Sequence, residues 1–271
     1  PSPFTSGSST DSKVISANGT VTFPPPAPNG FGYAFQVTAQ PTNQRCTVDP
    51  PASGIVNGPL RVSVTCIDLH FINVSISGNV GQVTAALTTS VPSNESCVKS
   101  APGGTCNFGP YGPEVTYRVE VIEQPISQIC EPTVTEGTVG SSDVTVTIIC
   151  RIKQFRVSGF VSGNTSPLTL TNNGGDTQFI PADGGNYSFS LQDYGSTWNV
   201  QIVGATTNQR CYVFNHTGTL TNNYSNVNIN CIEAYSVGGT LTGLVPGSSI
   251  TLRKTVTHAR SSIFHTEAAA E

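Results

Sequence analysis

Eight cysteines are the residues whose type and spacing promise chemistry. Six fall into pairs 20 positions apart: Cys46 and Cys66, Cys130 and Cys150, Cys211 and Cys231. Zinc sites favour ligands about two to four residues apart, as in C-x-x-C, and no such pair occurs. Disulfide formation within each pair is therefore expected, which places the chain in an oxidising compartment: secreted, periplasmic or at a cell surface. The other two, Cys97 and Cys106, flank Pro102-Gly103-Gly104 and read as a local staple across a hairpin. Farther along, Phe179 and Tyr187 stand near the corresponding places, so the staple substitutes for an apolar cross-strand pair.

Little else in the chain carries chemistry. No Gly-x-Ser-x-Gly, His-Glu-x-x-His or phosphate loop occurs, and the expectation is that the protein is not an enzyme and needs no cofactor or metal. The four histidines, His70, His216, His258 and His265, stand apart from any acidic cluster. Asp176, after Asn172 to Gly175, reads as part of a turn rather than a calcium ligand. Candidate N-x-S/T glycosylation sites lie at Asn18, Asn73, Asn94, Asn164, Asn186, Asn215 and Asn223, against roughly four or five expected by chance in so Asn-, Ser- and Thr-rich a chain. Trp198, Tyr194, Tyr212 and Tyr224 suit a sugar-stacking platform, but Trp198 occupies the slot of Tyr33 and Tyr117, and a slot that is always aromatic is read as core.

The elements that must position the cysteines recur with them. Successive first cysteines lie 84 and 81 residues apart. Each is preceded by an alternating strand, Tyr33 to Val37, Tyr117 to Val121 or Trp198 to Ile202. Each second cysteine closes another such strand, as in Val146-Thr147-Ile148-Ile149-Cys150. A fixed period of this length means tandem units. Only 10% of the 271 residues are charged, Met does not occur, and 27 Gly and 19 Pro supply turns, which together predict an all-β protein. A net charge of −4 offers no basic face to nucleic acid. No apolar run approaches the ~18 residues that span a bilayer.

The predicted organisation is a row of Ig-like β-sandwich modules of about 82 residues, joined by short linkers in an extended array. Residues 1–10 are an extended lead-in. Residues 11–68 form an incomplete first module, with a hairpin over Val14 to Phe23 turning at Asn18-Gly19. Residues 69–152 and 153–233 are the second and third modules, the third with about seven short strands. Residues 234–253 repeat the opening strands: Tyr235 to Gly243 copies Phe155 to Gly163, and Ile250-Thr251-Leu252 copies Leu168-Thr169-Leu170. Residues 254–271 match no module.

The pattern Tyr-x-Val-x-Val, Gln-Pro-x-x-Gln-x-Cys and Val-x-Val-x-Cys, followed by Tyr-Ser-Val-Gly-Gly-Thr-Leu-Thr-Gly-Leu, resembles tandem Ig-like repeats of large bacterial secreted or surface proteins, adhesin-like or filament-forming. The resemblance covers roughly residues 11–253 and implies a secreted repetitive array without catalytic residues. The chain begins and ends in mid-module, and the missing front half is the part that follows the third module. The expected function is thus a structural subunit of a filament or surface stalk. Its partners are copies of itself, joined head to tail through Tyr235, Val237, Thr240, Leu241, Leu244, Ile250 and Leu252, with glycans as further candidate partners. The alternative is an excerpt of a longer tandem-repeat adhesin that binds carbohydrate.

Overall fold

A computed structural model describes residues 10–24, 26–49, 51–204 and 208–255, and every element in it is a β-strand or an isolated bridge. Among the described residues, no helix is long and apolar enough to cross a membrane.

The first region holds β1 (Gly32–Ala34), β2 (Gln44–Val48), β3 (Ser53–Ile55) and β4 (Val64–Asp68). They form two separate two-stranded ribbons, β1 with β3 and β2 with β4.

The second region holds β5 (His70–Ser77), β6 (Val83–Thr89), β7 (Asn94–Lys99), β8 (Gly103–Tyr111), β9 (Thr116–Glu123), β10 (Gln128–Pro132), β11 (Glu136–Thr138) and β12 (Val144–Ile152). Two four-stranded sheets result, in the orders β10-β12-β5-β8 and β11-β9-β6-β7. Period-two alternation drives the packing: Ile72, Val74 and Ile76 of β5, Leu87 of β6, Val119 of β9 and Ile148 of β12 all point inward and are buried. Each such side chain contributes about 1.5–3 kcal/mol by leaving water.

The third region holds β13 (Gln154–Phe155), β14 (Ser158–Ser162), β15 (Leu168–Asn172), β16 (Asp176–Ile180), β17 (Gly185–Ser188), β18 (Gln192–Asp193), β19 (Thr197–Val203), β20 (Gln209–Val213), β21 (Thr217–Thr219) and β22 (Ile229–Glu233). Its four-stranded sheets run β17-β14-β22-β20 and β16-β15-β19-β21, the same topology as in the second region, with β13 and β18 as an extra short pair. In both, the first strand of the sandwich lies parallel to the last, β5 beside β12 and β14 beside β22, while the other pairs are antiparallel.

Three disulfides, Cys46–Cys66, Cys130–Cys150 and Cys211–Cys231, each join directly facing residues of an antiparallel pair, with Cα atoms 3.9, 3.9 and 4.0 Å apart. The fourth, Cys97–Cys106, departs from the hairpin staple expected. β7 pairs with β6 and β8 with β5, so the bond ties the edges of opposite sheets. Nor is Phe179 a core counterpart of a cysteine: it is 70% exposed, and only Tyr187, across from Gly159 as Cys106 is from Val74, is buried.

The hairpin expected over Val14 to Phe23 does not form: no strand is assigned between residues 10 and 24. The strand from Tyr33 is shorter than expected, and residues 234–255 contain no strand. Among the described residues, residues 10–24 and 234–255 pair with no strand, and β1 pairs only with β3.

Candidate assembly site

The four strands of the first region are built like the last four of each complete module. An Asp49 N–H donates to Ser63 O as Thr133 donates to Thr147 O and Phe214 to Asn228 O. Leu69 N–H donates to Asn43 O as Lys153 does to Ser127 O and Ala234 to Asn208 O. An aromatic ring lies over a glycine of the next strand in all three: Tyr33 over Gly54, Tyr117 over Gly137 and Trp198 over Gly218. A Cβ on those glycines would come within 3.0, 2.4 and 2.3 Å of the ring, so the glycine is what lets the ring lie flat.

Among the described residues of the first region, no strand stands in the places of β5 and β6, which in the complete module are inner strands with a neighbour on either side. Consequently β4 has an open edge where β12 meets β5, and β1 has one where β9 meets β6. The inward faces are open too. Val64 is 51% exposed, whereas Ile148 and Ile229 at the same place are 0% and 1% exposed. Val62, Tyr33 and Phe35 are half-buried.

Counterparts of β7 and β8 are present as sequence. Asp11 to Phe23 follows Asp176 to Phe189 with one residue fewer, so Ile15 stands for Ile180, and Phe23 for Phe189 and Phe108, both buried. Phe23 already meets Phe35 edge-on, ring centroids 5.7 Å apart. Ile15 is nevertheless 54% exposed where Ile180 is 3% exposed, while Val14 is exposed as its counterpart Phe179 is.

Residues 234–255 repeat the sequence of the opening strands of the third region. Val237 and Leu241 correspond to the buried Val157 and Val161, and Ile250 and Leu252 to the buried Leu168 and Leu170. All four are exposed, as are Tyr235, Thr240 and Leu244. Gly243 has φ +82°, against +77° at Gly78 and +72° at Gly163, the left-handed turn that ends β5 and β14. In those two a Cβ would strike Cys150 O or Cys231 O, so glycine is required twice over. Thr240 matches the outward Phe160, and Leu244 replaces Asn79 and Asn164, whose buried amides close the following loop. Tyr235 donates through its hydroxyl to Glu233 at 3.0 Å.

The remaining candidates are dispersed. Trp198 is buried, stacks on Tyr224 at 4.8 Å and donates to Asn215 O, so it offers no face to a sugar. Tyr194 packs on Phe155, and Tyr212 lies beneath the Arg210 guanidinium. Asp176 accepts the Ser190 N–H at 2.6 Å from the start of β16, and His70 stands 3.7 Å from Asp143. His258 and His265 lie outside the described residues. No group of three or more His, Cys, Asp or Glu gathers as a metal site among the described residues. Of the candidate glycosylation sites, Asn18, Asn94, Asn186, Asn215 and Asn223 are exposed and Asn73 is half-buried. Asn164 is a correction: it is buried and donates to Ser166 O and Pro181 O, leaving no room for a glycan.

No protein-family profile and no curated protein matches the chain. Among solved structures it is similar to the Bacillus anthracis TIE protein, at 11% identity and a TM-score of 0.40, over 69% of this chain and 42% of that one. It is similar to a streptococcal ancillary pilin at 12% and 0.27, over 75% and 76% of the two chains. A third likeness is to the major pilin T-13 of Streptococcus pyogenes, at 10% and 0.26, over 60% and 95%. The chain thus spans less than half of the TIE protein structure, and none of these partial likenesses bears on what it binds or builds.

Proposed function

We propose that the chain is a structural subunit of an extracellular filament or surface stalk, and that residues 234–253 of one copy complete the first module of the next. The observation that carries this reading is the fit between two defects. The first region exposes Val64 and the unpaired edges of β1 and β4, and the chain carries beyond β22 two segments that repeat the sequence of the strands covering those places in the complete modules. In the completed joint, Val237 to Thr242 runs parallel to β4 with Leu241 opposite Val64, as Val161 lies opposite Ile229. Ile250 to Leu252 runs antiparallel to β1, as β15 does to β19. The segment from Asp11 to Phe23 then closes the outer edge of both sheets.

Burying five or six apolar side chains this way is worth on the order of 10 kcal/mol before the cost of ordering the tail. Ladder hydrogen bonds to otherwise open edges add to it. The two surfaces differ, so the contact is heterologous and propagates into an open fibre. Four disulfides suit a protein that works outside the cell.

Removing residues 234–271 tests the reading. The truncated chain is expected to stay monomeric in light scattering and electron microscopy under conditions where the whole chain forms fibres. An added peptide of residues 234–253 is expected to protect the amides of residues 11–23 and 62–66 from exchange. Polymerisation of the truncated chain would overturn strand donation. A native subunit heavier than this 271-residue chain, with its extra mass ahead of residue 10, would assign the covering strands to the same covalent chain instead.

A further inference from the structure

Each complete module buries one glutamine two residues before the first cysteine of its pair. Gln128 is 1% exposed; its Oε1 accepts the Val80 N–H at 2.8 Å and its Nε2 donates to Gly78 O at 2.7 Å. Gln209, 4% exposed, accepts the Thr165 N–H at 2.9 Å and donates to Ser166 Oγ at 2.8 Å. The side chain therefore reaches from β10 or β20, on the far side of β12 or β22, to the turn that ends β5 or β14. In both modules its Oε1 accepts a main-chain N–H of that turn; its Nε2 donates to main chain at Gly78 O in one and to the Ser166 hydroxyl in the other. A buried amide in such a position fixes register, because a slip by one residue leaves its donor and acceptor without partners.

The first region has a glutamine at the same place, Gln44 in β2, and no strand for it to read. Its Nε2 instead donates to the exposed Asp68 Oδ1 at 2.7 Å. The tail has the matching main chain: Gly243, with its left-handed φ, stands for Gly78 and Gly163, and Val245 stands for Val80 and Thr165. We infer that Gln44 is the register-setting residue of the joint, its Oε1 accepting the Val245 N–H and its Nε2 donating to Gly243 O of the incoming copy. This rests on the head-to-tail reading. The tail strand Val237 to Thr242 is Gly- and Thr-rich, and strands with so few bulky side chains specify register weakly.

The experiment compares fibres of the full chain carrying Gln44→Met, Gln44→Glu or Gln128→Met, diluted and followed by scattering. Gln44→Met fibres are expected to dissociate roughly thirtyfold faster, as for two buried hydrogen bonds lost. Gln44→Glu keeps the acceptor but sets a carboxylate oxygen against Gly243 O and beside Asp68, and should dissociate at least as fast as Gln44→Met. The unassembled Gln44→Met chain should melt as the parent does, since the Asp68 bond is exposed, whereas Gln128→Met should lower melting and leave dissociation alone. Gln44→Met and Gln44→Glu fibres that dissociate at the parent rate would overturn the assignment. If the chain lacking residues 234–271 is at the same time monomeric, head-to-tail assembly stands without the latch. If that truncated chain polymerises, both readings fail.

Discussion

Val64 and Ile148 occupy the same place, two residues before the second cysteine of a 20-residue disulfide, on a strand paired to the same neighbour. One is 51% exposed and the other 0%. The difference shows how little a cross-strand disulfide and a two-stranded ribbon bury by themselves. Such a ribbon is marginal in water; a sandwich core needs the inner strands, which face the opposite sheet and carry a neighbour on each side. The first region thus has the covalent tie and the aromatic-over-glycine contact of a module without its core.

The comparison breaks most sharply at those two residues. Ile148→Ala should cost the second module about 2–5 kcal/mol through lost transfer energy and the cavity left. Val64→Ala should change the melting of the unassembled chain by less than about 0.5 kcal/mol, as at exposed sites, and show its cost only in fibres. Calorimetry of the two variants decides it. Equal penalties in the unassembled chain would mean that something already covers Val64.

The disulfides sharpen it further. Replacing Cys130 and Cys150 by Ser should cost about 3 kcal/mol on the chain-entropy estimate for a 20-residue loop. That is a large share of the ~5–15 kcal/mol typical of a small domain. The same change at Cys46 and Cys66 should leave the melting of the other regions unmoved and instead erase exchange protection over residues 44–48. Retained protection there would show that the β2–β4 ribbon stands without its bond.

Sequence revealed what is local. A strand and its antiparallel partner 20 residues on, and an aromatic slot filled by Tyr117 and Trp198, are short-range patterns, and both became buried features of each complete sandwich; the tail that copies Phe155 to Leu170 forms no strand. Sheet membership was not legible. β5 pairs parallel with β12, Ile72 facing Val144 from far along the chain, and nothing in the alternation of either strand names the other. The same blindness turned Cys97–Cys106 into a hairpin staple: a turn at Pro102-Gly103 joins β7 and β8, but the strands they pair with belong to opposite sheets. The glycines under the aromatic rings left a signal that went unused, recurring at Gly54, Gly137 and Gly218 shortly after each first cysteine. So did the glutamine of Gln-x-Cys, whose role is visible only once its long-range acceptor and donor are placed.

The smallest expected effect separates the two complete modules by how they fill one slot. Across from Val74 the second module has Cys106, covalently tied to Cys97; across from Gly159 the third has Tyr187, whose hydroxyl donates to Val227 O. Burial holds the Tyr187 hydroxyl well above the usual tyrosine pKa of 10.0. A group whose pKa is raised by folding stabilises the native state fully below its unfolded pKa, and that contribution is lost as pH rises toward the folded one. The third module should therefore weaken above pH 10, by about 1.4 kcal/mol at pH 11 from this residue, since one pKa unit corresponds to that energy. Burial raises Tyr111 and Tyr117 as well, the former helped by its bond to Glu95, so the second module declines on its own account. Tyr187→Phe isolates the difference. Its third module should start less stable at pH 8, for want of the bond to Val227 O, yet lose less between pH 9 and pH 11 than the parent. A parallel decline of the two proteins over that range would show that Tyr187 ionises without opposing the fold.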